Sequence, residues 1–181
     1  DYTKQAIDLA AATDSPAVCV TSGTTLPGNP PQAAYEHLVS SLQEITAYAE
    51  AKGIEVGIEF EPGLLVESVD DVLTLIDDVG HSSLGINLDL GHVAVLGTEP
   101  TDAIRRSADY ITGVHLEDIP GGVGGTHYHT IPGAGDLDFR SIFDTFDDIG
   151  YDGFVTLELY TYSENPDEAA RVSLEYVTEY L

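Results

Sequence analysis

Leu84-Gly-Ile-Asn-Leu-Asp-Leu-Gly-His92 opens as a short apolar run and closes on an acid and a histidine. An apolar run of this length, bounded by turn residues, reads as a buried strand, Leu84–Asp89. A helical pattern follows near residues 101–108. The same succession recurs on both sides. Upstream lie the strands Ala17–Thr21 and Glu55–Phe60, and downstream lie Ile111–Leu116 and Phe154–Leu159. Strands that alternate with helices build βαβ units, and βαβ units require a parallel sheet.

The helices are marked at their ends. A helix is expected over Tyr2–Thr13. A long amphipathic helix runs from about Gln32 to Lys52, and Gly53 closes it in the manner usual at helix C-termini. Ser68 caps a helix over Val69–Val79. Phe139–Ile149 and Asp167–Tyr180 complete the set, with Pro166 at the start of the last. The expected class is therefore α/β: one domain over residues 1–181 made of five βα units. An eightfold barrel takes roughly 250 residues, so these units are expected to be its last five, with three N-terminal ones missing. A five-stranded open sheet is the competing architecture. If three units are missing, the first and last strands carry exposed edges.

Charge is the unusual bulk property. Thirty-two Asp and Glu face six Lys and Arg, for a formal net charge of −26. The acids recur along the chain, as at Asp70, Asp71, Asp77 and Asp78 and again at Asp144, Asp147 and Asp148. A dispersed acidic shell suits a salt-rich, halophilic cytoplasm, where ions screen self-repulsion. It argues against a nucleic-acid partner, whose phosphates call for basic contacts. No run approaches the roughly 18–20 apolar residues of a membrane span, and no signal-peptide pattern stands at the start. A cytoplasmic location without a membrane partner is expected. The single cysteine, Cys19, sits in an apolar run and reads as a small buried hydrophobe.

Four of the five strands carry a metal-ligand type at or near their C-terminal end: Glu59, Asp89, His115 and Glu158. The C-terminal rim of a parallel barrel is where such enzymes place their chemistry. Any one of these acids can simply cap the next helix, Asp89 most naturally. Four strand ends together, with few basic residues nearby in sequence, fit a divalent cation better. Three carboxylates and one imidazole favour Mn²⁺, with Mg²⁺, Co²⁺ or Zn²⁺ as alternatives.

The motifs are more specific than the spacing. Gly85-Ile-Asn-Leu-Asp-Leu-Gly-His92, Gly113-Val-His-Leu-Glu-Asp118, His129-Thr-Ile-Pro-Gly-Ala-Gly-Asp-Leu-Asp-Phe139 and Gly150-Tyr-Asp-Gly-Phe-Val-Thr-Leu-Glu158 resemble successive motifs of the sugar phosphate isomerase/epimerase superfamily. That superfamily has the xylose isomerase-like TIM (β/α)8 barrel; its relatives include ketose 3-epimerases, inosose dehydratase and isomerase, and endonuclease IV. The second of these looks like the superfamily's "VHLKD" motif. The resemblance implies Glu59, Asp89, His115 and Glu158 as metal ligands and Glu59 and Glu158 as the acid/base pair. It implies that His92 and His129 contact substrate and that Asp118 orients the metal shell. His127 and His129 lie on a loop whose glycines suit a mobile lid.

The activity implied is sugar or sugar-phosphate isomerisation or epimerisation. A proton next to a carbonyl is removed through a metal-stabilised enediolate. Dehydratase chemistry shares that enolisation. The partner implied is a small-molecule sugar, and assembly as a homo-oligomer is compatible with the reading. Two rivals stand beside it. An endonuclease IV-like nuclease shares several of these ligands but places Asp where this chain has His127. A non-catalytic barrel relative has no need for three carboxylates at strand ends.

Overall fold

The structure is a computed structural model of residues 1–181. Five strands form one sheet in the order β1-β2-β3-β4-β5: β1 (Ala17–Thr21), β2 (Glu55–Glu59), β3 (Leu84–Asp89), β4 (Ile111–Leu116) and β5 (Val155–Leu157). Every strand is followed by helix: α2 (Pro31–Glu50), α3 (Val69–Val79), α4 (Leu90–Val95) with α5 (Pro100–Ser107), α6 (Phe139–Ile149) and α7 (Pro166–Val177). α1 (Tyr2–Ala12) precedes β1. The βα succession and the parallel pairing are those expected.

The chain packs as two compact units. The first comprises Asp1–Leu88 with Tyr110–Gly113, and the second Asp89–Asp109 with Val114–Leu181. In the first, β1 pairs in parallel with β2 (Val18↔Val56) and β2 with β3 (Ile58↔Ile86). Ile86 N donates to Tyr110 O (2.8 Å), which sets the start of β4 beside β3. Val56, Ile58, Ile86 and Leu88 are buried with Ile7, Leu42, Val72 and Leu75 from the helices. On α3 the buried residues Val69, Val72, Leu75, Ile76 and Val79 recur at helical spacing, so one stripe faces the core. Ser68 caps this helix by accepting from Asp71 N. Gly53, with φ 71°, turns the chain between α2 and β2 in a conformation that few other residues adopt.

In the second unit β4 and β5 pair in parallel, with His115 opposite Thr156. Its core holds Leu90, Ile104, Val114, Leu116, Ile119, Phe139 and Ile142. Phe139, Ile142, Phe143 and Phe146 form the buried face of α6, whose N-cap Asp138 accepts from Ser141 N.

Three local expectations change. Cys19 is exposed and not a buried hydrophobe, on a strand that pairs on one side only. β5 is shorter than its apolar run, because the residues after Glu158 tighten into a 3₁₀ turn over Tyr160–Tyr162. The six-residue α4, not expected, begins directly at Asp89.

Candidate metal centre

Glu59 ends β2 in the first unit and is almost wholly buried. The Cys19 thiol donates to its Oε2 (2.9 Å), and Asn87 Nδ2 approaches the same oxygen at 3.4 Å. The thiol and the amide each offer this buried carboxylate a donor.

The second unit brings together the other three predicted ligands. Asp89 closes β3 and has no exposed surface. One of its oxygens does what a helix cap does: Oδ1 accepts from His92 N (2.7 Å) at the start of α4. Its Oδ2 lies 3.9 Å from His115 Nδ1, and Glu158 Oε2 lies 3.4 Å from the same nitrogen. Asp89 is thus both a helix cap and a member of the ligand cluster.

Glu117 is the residue that sequence reasoning missed. It lies two positions after His115, so it shares the strand parity that sends His115 into the cluster. That parity, and the departure from the lysine of the family motif, are the signals that pointed to it. Glu117 has no exposed surface, and neither of its side-chain oxygens finds a well-formed hydrogen bond. Its neighbours are the Asp89 carboxyl and the Gly91 backbone. Residue 91 must be glycine for this to be so, because a Cβ there would lie 1.7 Å from Glu117 Oε1.

The two glutamates are driven in opposite directions. Burial pushes the Glu117 carboxyl up to about 7, and the Glu158 charge adds to the rise. The hydrogen bond from His115 brings Glu158 down to about 2, against its partial burial. Glu158 is therefore a carboxylate at neutral pH.

Three histidines close the site. The ring centroids of His92 and His127 are 5.0 Å apart, those of His127 and His129 5.5 Å, and those of His92 and His129 5.8 Å. His92 and His129 are buried, His127 is exposed, and Tyr160 lies against His129 at 4.7 Å. His129 Nδ1 is 3.1 Å from the Glu158 carbonyl oxygen, which only accepts, so Nδ1 donates this bond.

Asp118 holds the loop that follows it: its Oδ1 accepts from Ile119 N and Leu137 N, and its Oδ2 from Gly133 N and Gly135 N, all within 3.0 Å. The Gly-rich loop is therefore pinned from within. Further bonds from Thr126 N to Pro120 O and from Gly124 N to Ala94 O hold it as well. Gly125 and Gly135 suit this tight path, since a Cβ at either would meet backbone or side-chain atoms within 3 Å.

The donor set fits a divalent cation. Carboxylates and an imidazole converge in a buried space, and the ion pairs of Lys4, Lys52, Arg105 and Arg171 all involve solvent-accessible side chains. Two candidate ligand groups in this unit, Asp89 with Glu117 and His129, and His92 with His127 and His129, each place their ligand atoms within 4.8 Å of one another.

A family model described as "xylose isomerase-like TIM barrel" matches residues 1–180. Fructoselysine 3-epimerase of Shigella flexneri is 28% identical over 180 residues, covering 97% of this chain and 64% of the relative. Inosose dehydratase of Clostridium perfringens is 25% identical over 162 residues, covering 80% of this chain and 54% of the relative. A crystal structure described as a D-tagatose 3-epimerase-like protein superposes with a TM-score of 0.76 at 26% identity, covering 97% of this chain and 68% of that one. The chain spans about half the length of the first curated relatives it matches.

Proposed function

The chain belongs to the xylose isomerase-like TIM-barrel family, and from that premise we propose that it is the catalytic portion of a metal-dependent sugar, or sugar-phosphate, isomerase or epimerase. The observation that carries the reading is the convergence of Asp89, His115 and Glu158, two strand-end ligands and one just beyond its strand, in one partly buried cluster. Glu59 supplies the fourth ligand, in keeping with its own strand-end position and the motif resemblance. These four would hold a divalent cation, Mn²⁺ by preference, which when bound would supply a positive charge to polarise a substrate carbonyl.

The residues divide the remaining work. Glu158, ionised at neutral pH because His115 hydrogen-bonds it, takes the proton from the carbon next to the carbonyl. Glu59 returns a proton. Return to the opposite face of the same carbon gives the epimer, and return to the neighbouring carbon gives the isomer. His92 is held rigid by its place in α4 and hydrogen-bonds a sugar hydroxyl near the reacting carbon. The similarity to proteins named as an epimerase and as a dehydratase supports this reading. An open-chain keto sugar is the substrate class. With a net charge of −26, the chain itself opposes a polyphosphate partner.

Glu158→Gln in the full-length protein is expected to lower turnover of the best ketose substrate at least 10³-fold while leaving the thermal midpoint within a few degrees. Wild-type-like turnover in that variant would overturn the assignment.

A further inference from the structure

Asn87 has no part in the mechanism above, yet it is the only polar residue of β3 before Asp89. It is buried, and Ile86 and Leu88 on either side of it have no exposed surface. An apolar side chain would fill such a place at lower cost, because a buried amide must find a partner. The partner is Glu59, whose Oε2 lies 3.4 Å from Asn87 Nδ2. A carboxylate only accepts, so it is the amide nitrogen that faces it.

Room for this amide comes from both adjacent strands. On β2, two residues before Glu59, stands Gly57, where a Cβ would lie 3.3 Å from Asn87 Cβ. On β4 stands Gly113, where a Cβ would lie 2.8 Å from Asn87 Oδ1. Between these two glycines the amide has little freedom to turn.

The other side of β2 brings an independent donor. Cys19 on β1 pairs in register with Gly57, which offers no side chain to intervene, and its thiol donates to the same Oε2 (2.9 Å). One oxygen of Glu59 is therefore gripped from both flanking strands, and rotating the carboxyl breaks both bonds at once. Thiol and amide are neutral donors. A lysine or arginine in either place would put a positive charge where the ion is to bind.

We infer that Asn87 and Cys19 are positioning residues, which together fix the carboxyl of Glu59 for its work as metal ligand and proton donor. This rests on the metal reading given above, and it assigns neither residue a contact with substrate. Groups that orient a metal ligand commonly weigh roughly 10–100-fold in metal affinity.

The test is the Mn²⁺ dissociation constant of the full-length protein, measured by equilibrium dialysis after chelator treatment. Wild type, Asn87→Leu, Glu59→Gln and the double variant form a cycle, in which Leu keeps the branched outline of Asn and removes the donor. Asn87→Leu is expected to raise Kd about tenfold in the wild-type background and less than about twofold when Glu59 is already Gln. An equal fold-change in both backgrounds means that Asn87 acts through packing and overturns the assignment, as does a rise under about threefold in the wild-type background. At residue 19, Cys19→Ser keeps a donor and Cys19→Val fills the space without one. The Ser variant is expected to stay within about twofold of wild type and the Val variant to bind at least about threefold more weakly. Equal values for the two overturn the grip on Glu59. If Asn87→Leu does not fold, as circular dichroism would report, or Glu59→Gln binds too weakly to measure, the Cys19 pair decides alone. A wild type that binds no Mn²⁺ overturns the positioning role together with the metal reading beneath it.

Discussion

Asp118 gathers four backbone N–H groups onto one carboxylate, and those groups come from both ends of the loop between β4 and α6. Removing such an acceptor leaves buried donors unsatisfied, which costs about 1–3 kcal/mol for each group that water cannot reach. Asp118→Ala is therefore expected to lower unfolding free energy by roughly 2–4 kcal/mol, read from denaturant midpoints. It should also raise proteolytic nicking between residues 120 and 135. A loss under about 0.5 kcal/mol, the range of ordinary surface changes, would mean that the loop does not depend on this carboxylate. The motif resemblance implied a supporting role at the metal for Asp118. Its hold on the loop depends on a path that doubles back on it, and no local pattern encodes that path.

At the scale of elements, the patterned segments were legible. The bounds of β1, β3, β4, α3 and α6 are those read from apolar runs, caps and helical spacing. The strongest of these signals makes the simplest prediction. Leu75 is fully buried on the apolar stripe of α3, so Leu75→Ala is expected to cost about 2–5 kcal/mol, visible as a lower thermal midpoint. A cost below 1 kcal/mol would show that the stripe is not packed as described. Where the reading failed, the physical reasons are specific. α4 is six residues long, too short to show a helical period, and its cap was an acid already assigned as a ligand. β5 ends early because a 3₁₀ turn takes over its last residues, an event of local geometry with no mark in hydrophobicity. Glu117 lies just past the end of β4, and no apolar pattern there marks it as buried; strand parity from His115 carries it inward.

For the whole molecule, the charge is the property with the widest reach. Asp70, Asp71, Asp77 and Asp78 on α3, and Asp144, Asp147 and Asp148 on α6, are all exposed. A net charge of −26 makes the compact state repel itself at low ionic strength. Raising salt from 0.1 M to 1 M shortens the Debye length from about 10 Å to about 3 Å. The melting temperature in KCl is accordingly expected to rise by several degrees or more between those concentrations. A flat or falling curve would contradict the salt-adapted reading. No helix is long and apolar enough to cross a membrane.

The central claim is that the chain removes a proton next to a sugar carbonyl with the help of a bound divalent ion. Its most direct test is hydrogen exchange with solvent. The full-length protein, loaded with Mn²⁺, is incubated in D₂O with a panel of ketohexoses and inososes, and the sugars are read by NMR. The account predicts deuterium at a carbon adjacent to the carbonyl of at least one sugar, lost on chelation and restored by Mn²⁺. Epimerisation or isomerisation with no deuterium uptake, or uptake indifferent to the metal, would contradict it.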